Sequence, residues 1–499
     1  MGAVITFIAL AYGTILTKRP WVDEAWFASP AKNLAQYGSM GTYILEPTGS
    51  HLSVYYPGVR LDGIERHTYW VMPAYLLVIA AAFKLLGFSL TVLRLPELLW
   101  GLAALAAWYA IVRRLGGSPE LANLTVFLIG VDYAFVNGAS DGRMDMMCAS
   151  LGFIAIAVYL VFREKHFLLA ILLSQTAVAL AISTHPNGVI AGVTLAFMIV
   201  YLDRRRLSWR VAPLIAAPYA AAGAGWLAYI LQDRVAFAAQ FGANASDRLT
   251  ALSAPIKALR LEFTERYLAA HFFPNDAGLG GRLKVLILIA YLTAVLAVIA
   301  TPALRRNPGY RLLLWITGIQ FLGMAWVASF KGAYYLVFIT PFYAFFLACI
   351  FLSIWRRPGK YRWAAAALLC LVVGLQASWS LQRILWQRPY ETQYLPAIRF
   401  LRSHLTSHDL VCGSADLAFG LGFDDPRLVD DMWMGRWSGK MPTVIVIDHW
   451  YYGGMQNSAR KRAPDYYAYS THLLQSQFHK IYDQRDQYEI YERNETAAP

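Results

Sequence analysis

The 499-residue chain is 58% hydrophobic and 15% charged, against about 45–50% and about 25% for soluble domains. That composition excludes disordered, collagen-like and disulfide-scaffold classes and points to an integral membrane protein. Its 44 basic and 31 acidic residues leave a formal net charge of +13, which loop topology has to explain before nucleic acid is invoked. Four cysteines are too few for a disulfide framework: Cys148, Cys349 and Cys370 lie in apolar segments, and Cys412 stands alone in a polar tail.

A helical crossing needs about 17–25 apolar residues. Suitable runs lie at 2–16, 93–112, 121–138, 146–162, 167–183, 188–202, 211–231, 283–303, 312–328, 333–355 and 363–381. The first lacks a basic n-region and a small-x-small site, so it reads as a span and not a cleavable signal. A further run, 69–86, is interrupted by Pro73 and Lys84. Arginine-rich clusters at 113–114, 163–165, 204–210, 305–311 and 356–362 follow every second span counted from Leu93. If 69–86 does not cross, all five share the cytoplasmic side with the N-terminus. The run is therefore read as a juxtamembrane or re-entrant helix, leaving about eleven spans. Lys18 and Arg19 are then a small exception on the outer face. The same topology absorbs much of the +13, so no nucleic-acid partner is implied.

Segments 17–92, 139–145 and 232–282 then share the outer face, joined by the short turns at 184–187 and 329–332. So does the tail from Gln387, where Asp, His and Tyr become frequent. In it, 410–413 and 443–448 read as buried strands, and 480–483 with 487–492 as a hairpin. The fold expected is mainly α: a polytopic membrane module over 1–386, and an external α/β domain over 387–499 on the periplasmic or extracellular side. No internal repeat is visible, which weighs against an inverted-repeat transporter.

Directly after the first span stands Trp21-Val22-Asp23-Glu24-Ala25-Trp26. Two adjacent carboxylates between tryptophans can simply cap the helix that follows. They can also supply a general base at the water–lipid boundary, where an acceptor hydroxyl meets a lipid-linked donor. The second signal is Asp141-Gly142-Arg143-Met144-Asp145, on the same face. It reads either as an N-cap with its salt bridge or as a functional acid, since ionisable residues at the edge of an apolar run are costly. Arg66, His67, His185, Arg248 and Lys331 are cations on that face. Singly each suits a headgroup contact; together they would form an anion clamp for a phosphodiester. There is no P-loop, G-x-S-x-G, H-E-x-x-H or C-x-x-C.

In chain order, the acidic pair is followed by Arg66-His67-Thr68-Tyr69-Trp70, Phe83-Lys84-Leu85-Leu86-Gly87, Leu93-Arg94-Leu95-Pro96, Arg143-Met144-Asp145 and Lys331-Gly332-Ala333-Tyr334-Tyr335. This series resembles the bacterial branch of the protein O-mannosyltransferase and aminoarabinose-transferase superfamily, GT-C glycosyltransferases that use polyprenyl-phosphate sugars. The resemblance covers roughly 21–347 and fades in the tail. It implies a GT-C membrane module with juxtamembrane helices in its first outer loop, in the inner (plasma) membrane. It carries the catalytic aspartate onto Asp23, with Glu24 its neighbour, and the second-loop acid onto Asp145, preceded by Arg143. The basic residue that approaches the donor phosphate falls on Arg66 or His67, where His67-Thr68 replaces the common proline pair. His185 stands where some relatives have lysine, Arg248 matches loosely and Lys331 well.

The implied reaction moves a sugar from a polyprenyl-phosphate donor to a hydroxyl on a lipid, glycan or protein, with inversion. No cofactor is assigned. A divalent metal would suit two carboxylates, as in related oligosaccharyltransferases, but this branch usually lacks that requirement. Three alternatives stand beside this reading: an oligosaccharide ligase or oligosaccharyltransferase-like enzyme with a different lipid donor, a lipid-linked substrate transporter, and a non-catalytic scaffold. A transporter predicts charges near the bilayer midplane, whereas these cluster at one face.

Overall fold

The computed structural model describes residues 1–46, 60–269, 279–328, 331–449, 451–485 and 487–494; within these, the side chains of 243–251, 269, 279–282, 458 and 462 stand outside the description. Two compact units emerge. One comprises Met1–Ile15, Arg94–Leu227 and Asp247–Trp386, the other Leu16–Leu93, Ala228–Ser246 and Gln387–Pro499.

Among the described residues, seven helices are long and apolar enough to cross a membrane, including Leu90–Arg114, Asp145–Phe162, Phe167–Thr184, Val211–Ile230 and Pro308–Val327. Their environments differ far more than their compositions. Helix Asp145–Phe162 is 78% buried over its apolar window, and Val211–Ile230 only 6%. A helix apolar all round with its side chains uncovered is stable only in hydrocarbon. The chain is a multi-pass membrane protein. Inside the first unit the buried Trp108 stands edge-on to Phe342 at 4.8 Å and to Phe153 at 5.6 Å. That ring cluster ties three helices together, each pair contributing about 0.5–1.5 kcal/mol beyond area burial.

Two runs read as single spans are divided. The run 121–138 is a helix over Pro119–Val131 and a second over Tyr133–Gly138. Asp132 makes the break: its Oδ1 accepts the Phe135 N–H at 2.9 Å, capping the second helix. Its Oδ2 accepts from the Tyr291 hydroxyl at 2.6 Å and the Gln376 amide at 2.7 Å. The run 333–355 is a 3-10 turn over Ala333–Phe338 followed by a helix over Thr340–Trp355. Pro341 starts that helix, its missing N–H costing nothing in the first turn. The run 69–86 becomes helix only over Pro73–Leu86. Its fourteen residues span about 21 Å, short of a hydrocarbon core of about 30 Å.

In the second unit a five-stranded sheet is built from β1 (Val411–Cys412), β2 (Leu428–Val429), β3 (Val444–Asp448), β4 (Phe478–Asp483) and β5 (Tyr488–Arg493). The order is β2-β1-β3-β5-β4. Strands β1, β2 and β3 are parallel, and β5 runs antiparallel to β3 and β4. All five residues of β3 are buried, the continuous apolar pattern expected of a covered parallel strand. The first-loop chain extends this sheet by an isolated bridge between Leu45 and Asp430.

Asp430 is buried, and its carboxylate accepts from Trp26 Nε1 at 3.1 Å, the Tyr452 hydroxyl at 2.9 Å and the Ala415 N–H at 3.1 Å. Desolvation dominates over these donors and pushes its pKa up to about 7. Asp416 is raised for the same reason, reinforced by Asp448. Between the usual carboxylate value near 4 and about 7, the folded protein keeps a proton that the unfolded chain has released. Stability therefore falls as pH rises through that window. The melting temperature in detergent should drop between pH 5 and pH 8. Asp430→Asn, which keeps a neutral acceptor, should flatten the drop; an unchanged slope would count against this origin.

Candidate active site

In the second unit, helix Val22–Tyr37 starts at Trp21 and carries Asp23 and Glu24 in its first turn, where unpaired N–H groups favour carboxylates. The two acids part ways there. Glu24 is fully buried and accepts the Trp21 N–H at 2.8 Å, the N3-to-N-cap half of a capping box. Asp23 stays half-buried. The helix is pinned along its length by Trp26 on Asp430 and by Lys32, whose Nζ reaches both Asp424 oxygens at 2.7 and 2.6 Å. Trp70 packs between Trp26 (edge-on, 5.5 Å) and Phe27 (stacked, 5.7 Å).

Arg66 and His67 sit on a turn closed by Gly63, whose carbonyl accepts both of their N–H groups at 3.0 Å. Gly63 has φ +76°, and a Cβ there would meet the Ala236 methyl at 2.7 Å, so glycine alone fits. Arg66 is exposed and pairs with Asp233 at 3.4 Å and Glu65 at 3.4 Å. His67 stacks on Tyr69 at 5.6 Å, and burial lowers its pKa. Gln240 holds this segment: its amide nitrogen donates to the carbonyls of Asp62 (3.0 Å) and His67 (2.9 Å), while its oxygen accepts the Tyr69 N–H at 2.7 Å.

In the first unit, Asp145 opens the most enclosed of the spanning helices. Arg143 Nε donates to Asp145 Oδ2 at 2.9 Å, with both residues buried. The guanidinium lies 3.9 Å over the Tyr334 ring, within cation–π range. The Met147 N–H in the same first turn goes to buried Glu97 at 2.9 Å, and Asn137 donates to Asp141 at 3.0 Å. Tyr334 stands edge-on to Tyr335 at 4.5 Å. The Tyr335 hydroxyl is 3.3 Å from His185 Nε2. His185 Nδ1 accepts the Asn187 N–H at 3.0 Å, which assigns the ring proton of the neutral imidazole to Nε2, facing Tyr335.

Arg266 lies 5.3 Å from the Tyr335 ring on the wide-wound turn Glu262–Ala269. It pairs with Glu262 at 2.7 Å, and Glu262 also takes Lys331 at 3.2 Å. Lys331 further donates to the carbonyls of Ala325 (2.6 Å) and Ala328 (2.7 Å), so its ammonium is engaged inside the unit by two hydrogen bonds and one ion pair.

The nominated residues thus fall into two groups. Asp23, Glu24, Arg66 and His67 lie in the second unit, and Arg143, Asp145, His185 and Lys331 in the first. Within the first unit the four are joined into one chain of ion pairs and rings by Tyr334, Tyr335, Arg266 and Glu262, which were not nominated from sequence. The two tyrosines directly follow Lys331-Gly332-Ala333, and Glu262 with Arg266 has the i, i+4 spacing of a helical ion pair; both signals were present. Arg248 belongs to helix Arg234–Ser253, but its side chain lies outside the described residues. Among the described residues no three His, Cys, Asp or Glu side chains come together as a metal-binding group.

Residues 70–229 match the family described as dolichyl-phosphate-mannose-protein mannosyltransferase. No curated protein matches the chain. Among solved structures, ArnT from Cupriavidus metallidurans bound to undecaprenyl phosphate is similar over 100% of this chain and 99% of its own, with a TM-score of 0.56 at 14% identity. The Archaeoglobus fulgidus oligosaccharyltransferase in its apo form is similar over 100% of this chain and 75% of its own, with a TM-score of 0.57 at 13% identity. The archaeal oligosaccharyltransferase AglB from Archaeoglobus fulgidus, in complex with an inhibitory peptide and a dolichol-phosphate, is similar over 100% of this chain and 75% of its own, with a TM-score of 0.53 at 12% identity. The chain has the fold of the GT-C glycosyltransferases, and 70–229 carries the mannosyltransferase family pattern, as the sequence resemblance implied.

Removing one member of a buried ion cluster strands its partners, typically at about 3–5 kcal/mol. Glu262→Gln should therefore lower the melting temperature sharply, because Arg266 and Lys331 lose their shared counter-charge. Adding Lys331→Met should recover part of the loss. If Glu262→Gln melts like wild type, the triad does not hold this turn.

Proposed function

We propose that the chain is a glycosyltransferase that moves a sugar from a polyprenyl-phosphate donor to a hydroxyl acceptor, a lipid, glycan or protein, at the outer face of the membrane. The observation that carries this reading is the buried Arg143–Asp145 pair at the mouth of a spanning helix. Ionised groups at such a position are costly and mark function. Support comes from the match of 70–229 to a mannosyltransferase family and from the likeness over nearly full length to a structure that holds undecaprenyl phosphate. The five arginine clusters support the sidedness, with the tail on the periplasmic or extracellular side of a plasma membrane.

In this mechanism Asp23 is the general base. Glu24 is fully buried and caps its own helix through the Trp21 N–H, whereas Asp23 is half-buried and is the acid of the pair assigned to proton transfer. It takes the proton of the acceptor hydroxyl as that oxygen attacks the anomeric carbon. The new C–O bond forms as the bond to the phosphate oxygen breaks, in line and with inversion, and the polyprenyl phosphate leaves with the electron pair. The proton passes from Asp23 to water. Arg66 or His67, His185, Arg248 and Arg143 are assigned to the donor and its departing phosphate, where fixed cations stabilise developing charge. Asp145 orients Arg143. Lys331 serves by holding Glu262 and Arg266 beneath Tyr335.

An oligosaccharyltransferase-like reaction with a different lipid donor is the second reading, favoured by the comparable TM-score to the archaeal enzyme. This chain spans 75% of that protein and 99% of ArnT, which favours the first.

The test incubates purified wild type and Asp23→Asn with a panel of polyprenyl-monophosphate and polyprenyl-diphosphate sugars plus envelope extract, read by mass spectrometry. Wild type should consume one monophosphate donor. Asp23→Asn should be slower by roughly 10²–10⁴-fold, the usual contribution of a general base. Consumption of a diphosphate donor alone would move the assignment to the second reading. Equal turnover by both proteins would reduce Asp23 to a helix-end charge.

A further inference from the structure

Within the first unit an apolar groove of about 620 Å³ runs along helix Pro308–Val327, in the usual size range of ligand pockets. Its lining is almost wholly hydrocarbon, with Trp315, Phe321 and Ile299 among its walls and Arg305 and Arg311 at one end. Trp315 is 58% and Ile299 46% exposed, so the recess is open to its surroundings. At its far end Phe321 packs against Phe263 at 5.3 Å and Tyr267 at 6.0 Å, closing it. From Arg311 to Phe321 the helix rises about 15 Å, half the thickness of a hydrocarbon core and so one leaflet deep.

The charged end is not neutralised. The loop 301–311 holds three arginines and no acid. Arg305 donates from Nη1 to the Ile299 carbonyl at 3.3 Å, and Arg311 from Nε to the Tyr201 hydroxyl at 3.2 Å. Among the described residues neither has a carboxylate partner. Two exposed guanidiniums over an apolar recess one leaflet deep fit an amphiphile with one anionic phosphodiester head and one seated acyl chain.

We propose that this groove is a specific site for an anionic phospholipid of the leaflet next to the arginine loop, its phosphate on Arg305 and Arg311 and one chain along Trp315. The site is separate from the chain of ion pairs around Arg143 and Asp145 and stands whether or not the transferase reading holds. Gly318 lines the groove, and a Cβ built there has no atom within 4 Å. A larger side chain at 318 thus fills the recess without meeting protein, and replacing a helical glycine favours the helix.

The experiment is native mass spectrometry of the delipidated full-length protein titrated with phosphatidylglycerol or phosphatidylcholine of the same acyl chains. Wild type should retain phosphatidylglycerol with a roughly thirtyfold preference, the effect expected of two basic side chains at an anionic lipid. Arg305→Gln with Arg311→Gln should bring that preference to unity. Gly318→Leu should lose both lipids while melting no lower than delipidated wild type, which separates a filled groove from a misfolded protein. Equal retention of both lipids by wild type would overturn the proposal. So would undiminished phosphatidylglycerol binding in either variant, or displacement of the lipid by equimolar polyprenyl phosphate.

Discussion

Charge buried in an apolar helical unit has to be matched by charge, and this requirement organises the first unit. Arg143 meets Asp145, Arg266 and Lys331 share Glu262, and Arg163 meets Asp203 through Nε at 2.7 Å. The Lys331–Glu262 and Arg163–Asp203 pairs join segments distant in the chain, whereas Arg143–Asp145 and Arg266–Glu262 are local pairs that fix a turn. Replacing such a pair with apolar residues of similar volume is often neutral or stabilising, so their presence here calls for a role beyond stability. The Arg143–Asp145 and Glu262 clusters are linked through Tyr334 and Tyr335, whereas Arg163–Asp203 anchors the arginine-rich end of its helices.

The second unit solves the opposite problem by different means. Its buried acids Asp430, Asp431 and Asp448 are met mainly by neutral donors: Trp26 and Tyr452 on Asp430, backbone N–H groups of Trp433 and Gly435 on Asp431, and those of Tyr451 and Tyr452 on Asp448. Neutral donors satisfy hydrogen-bonding valence without supplying a compensating charge, so desolvation prevails at Asp430. The acids act as hubs for chain direction. Asp431 gathers the turn after β2, and Asp448 starts the helix Tyr452–Arg462 at the end of β3.

How much of this could be read in the sequence depends on the range of the interaction. Spans are set by local composition, so helices such as Asp145–Phe162 and Phe167–Thr184 were legible to within a residue or two, as was the hairpin of β4 and β5. Strand β2 has two residues, too few for any alternation to show. The break at Asp132 was hidden because one acid in an apolar run resembles a tolerated exception until its partners Tyr291 and Gln376, distant in the chain, are in place. That Glu24 is the buried cap of its helix was masked because a tryptophan occupies the N-cap, where the capping-box pattern looks for serine or threonine. Gln240 could not be found at all: a lone glutamine in a helix carries no signal until the backbone of 62–69 is brought against it.

Lys331 shows why position alone does not define a role. As a basic residue in a turn between two apolar runs it looks like a phosphate ligand. Its ammonium, however, is held by Ala325, Ala328 and Glu262, and burial lowers its pKa against the opposing pull of Glu262. The ammonium is thus tied into the architecture of the unit as well as carrying charge. Through Glu262 it fixes Arg266, and Arg266 lies by Tyr335, whose hydroxyl meets His185. Any loss of activity on replacing Lys331 therefore conflates charge with architecture. His185, with Nδ1 fixed by the Asn187 N–H and Nε2 turned toward Tyr335, is the member of this chain whose proton position is set by its neighbours. There, and at Arg143 over the ring of Tyr334, the neighbours set a side chain's orientation as well as its burial.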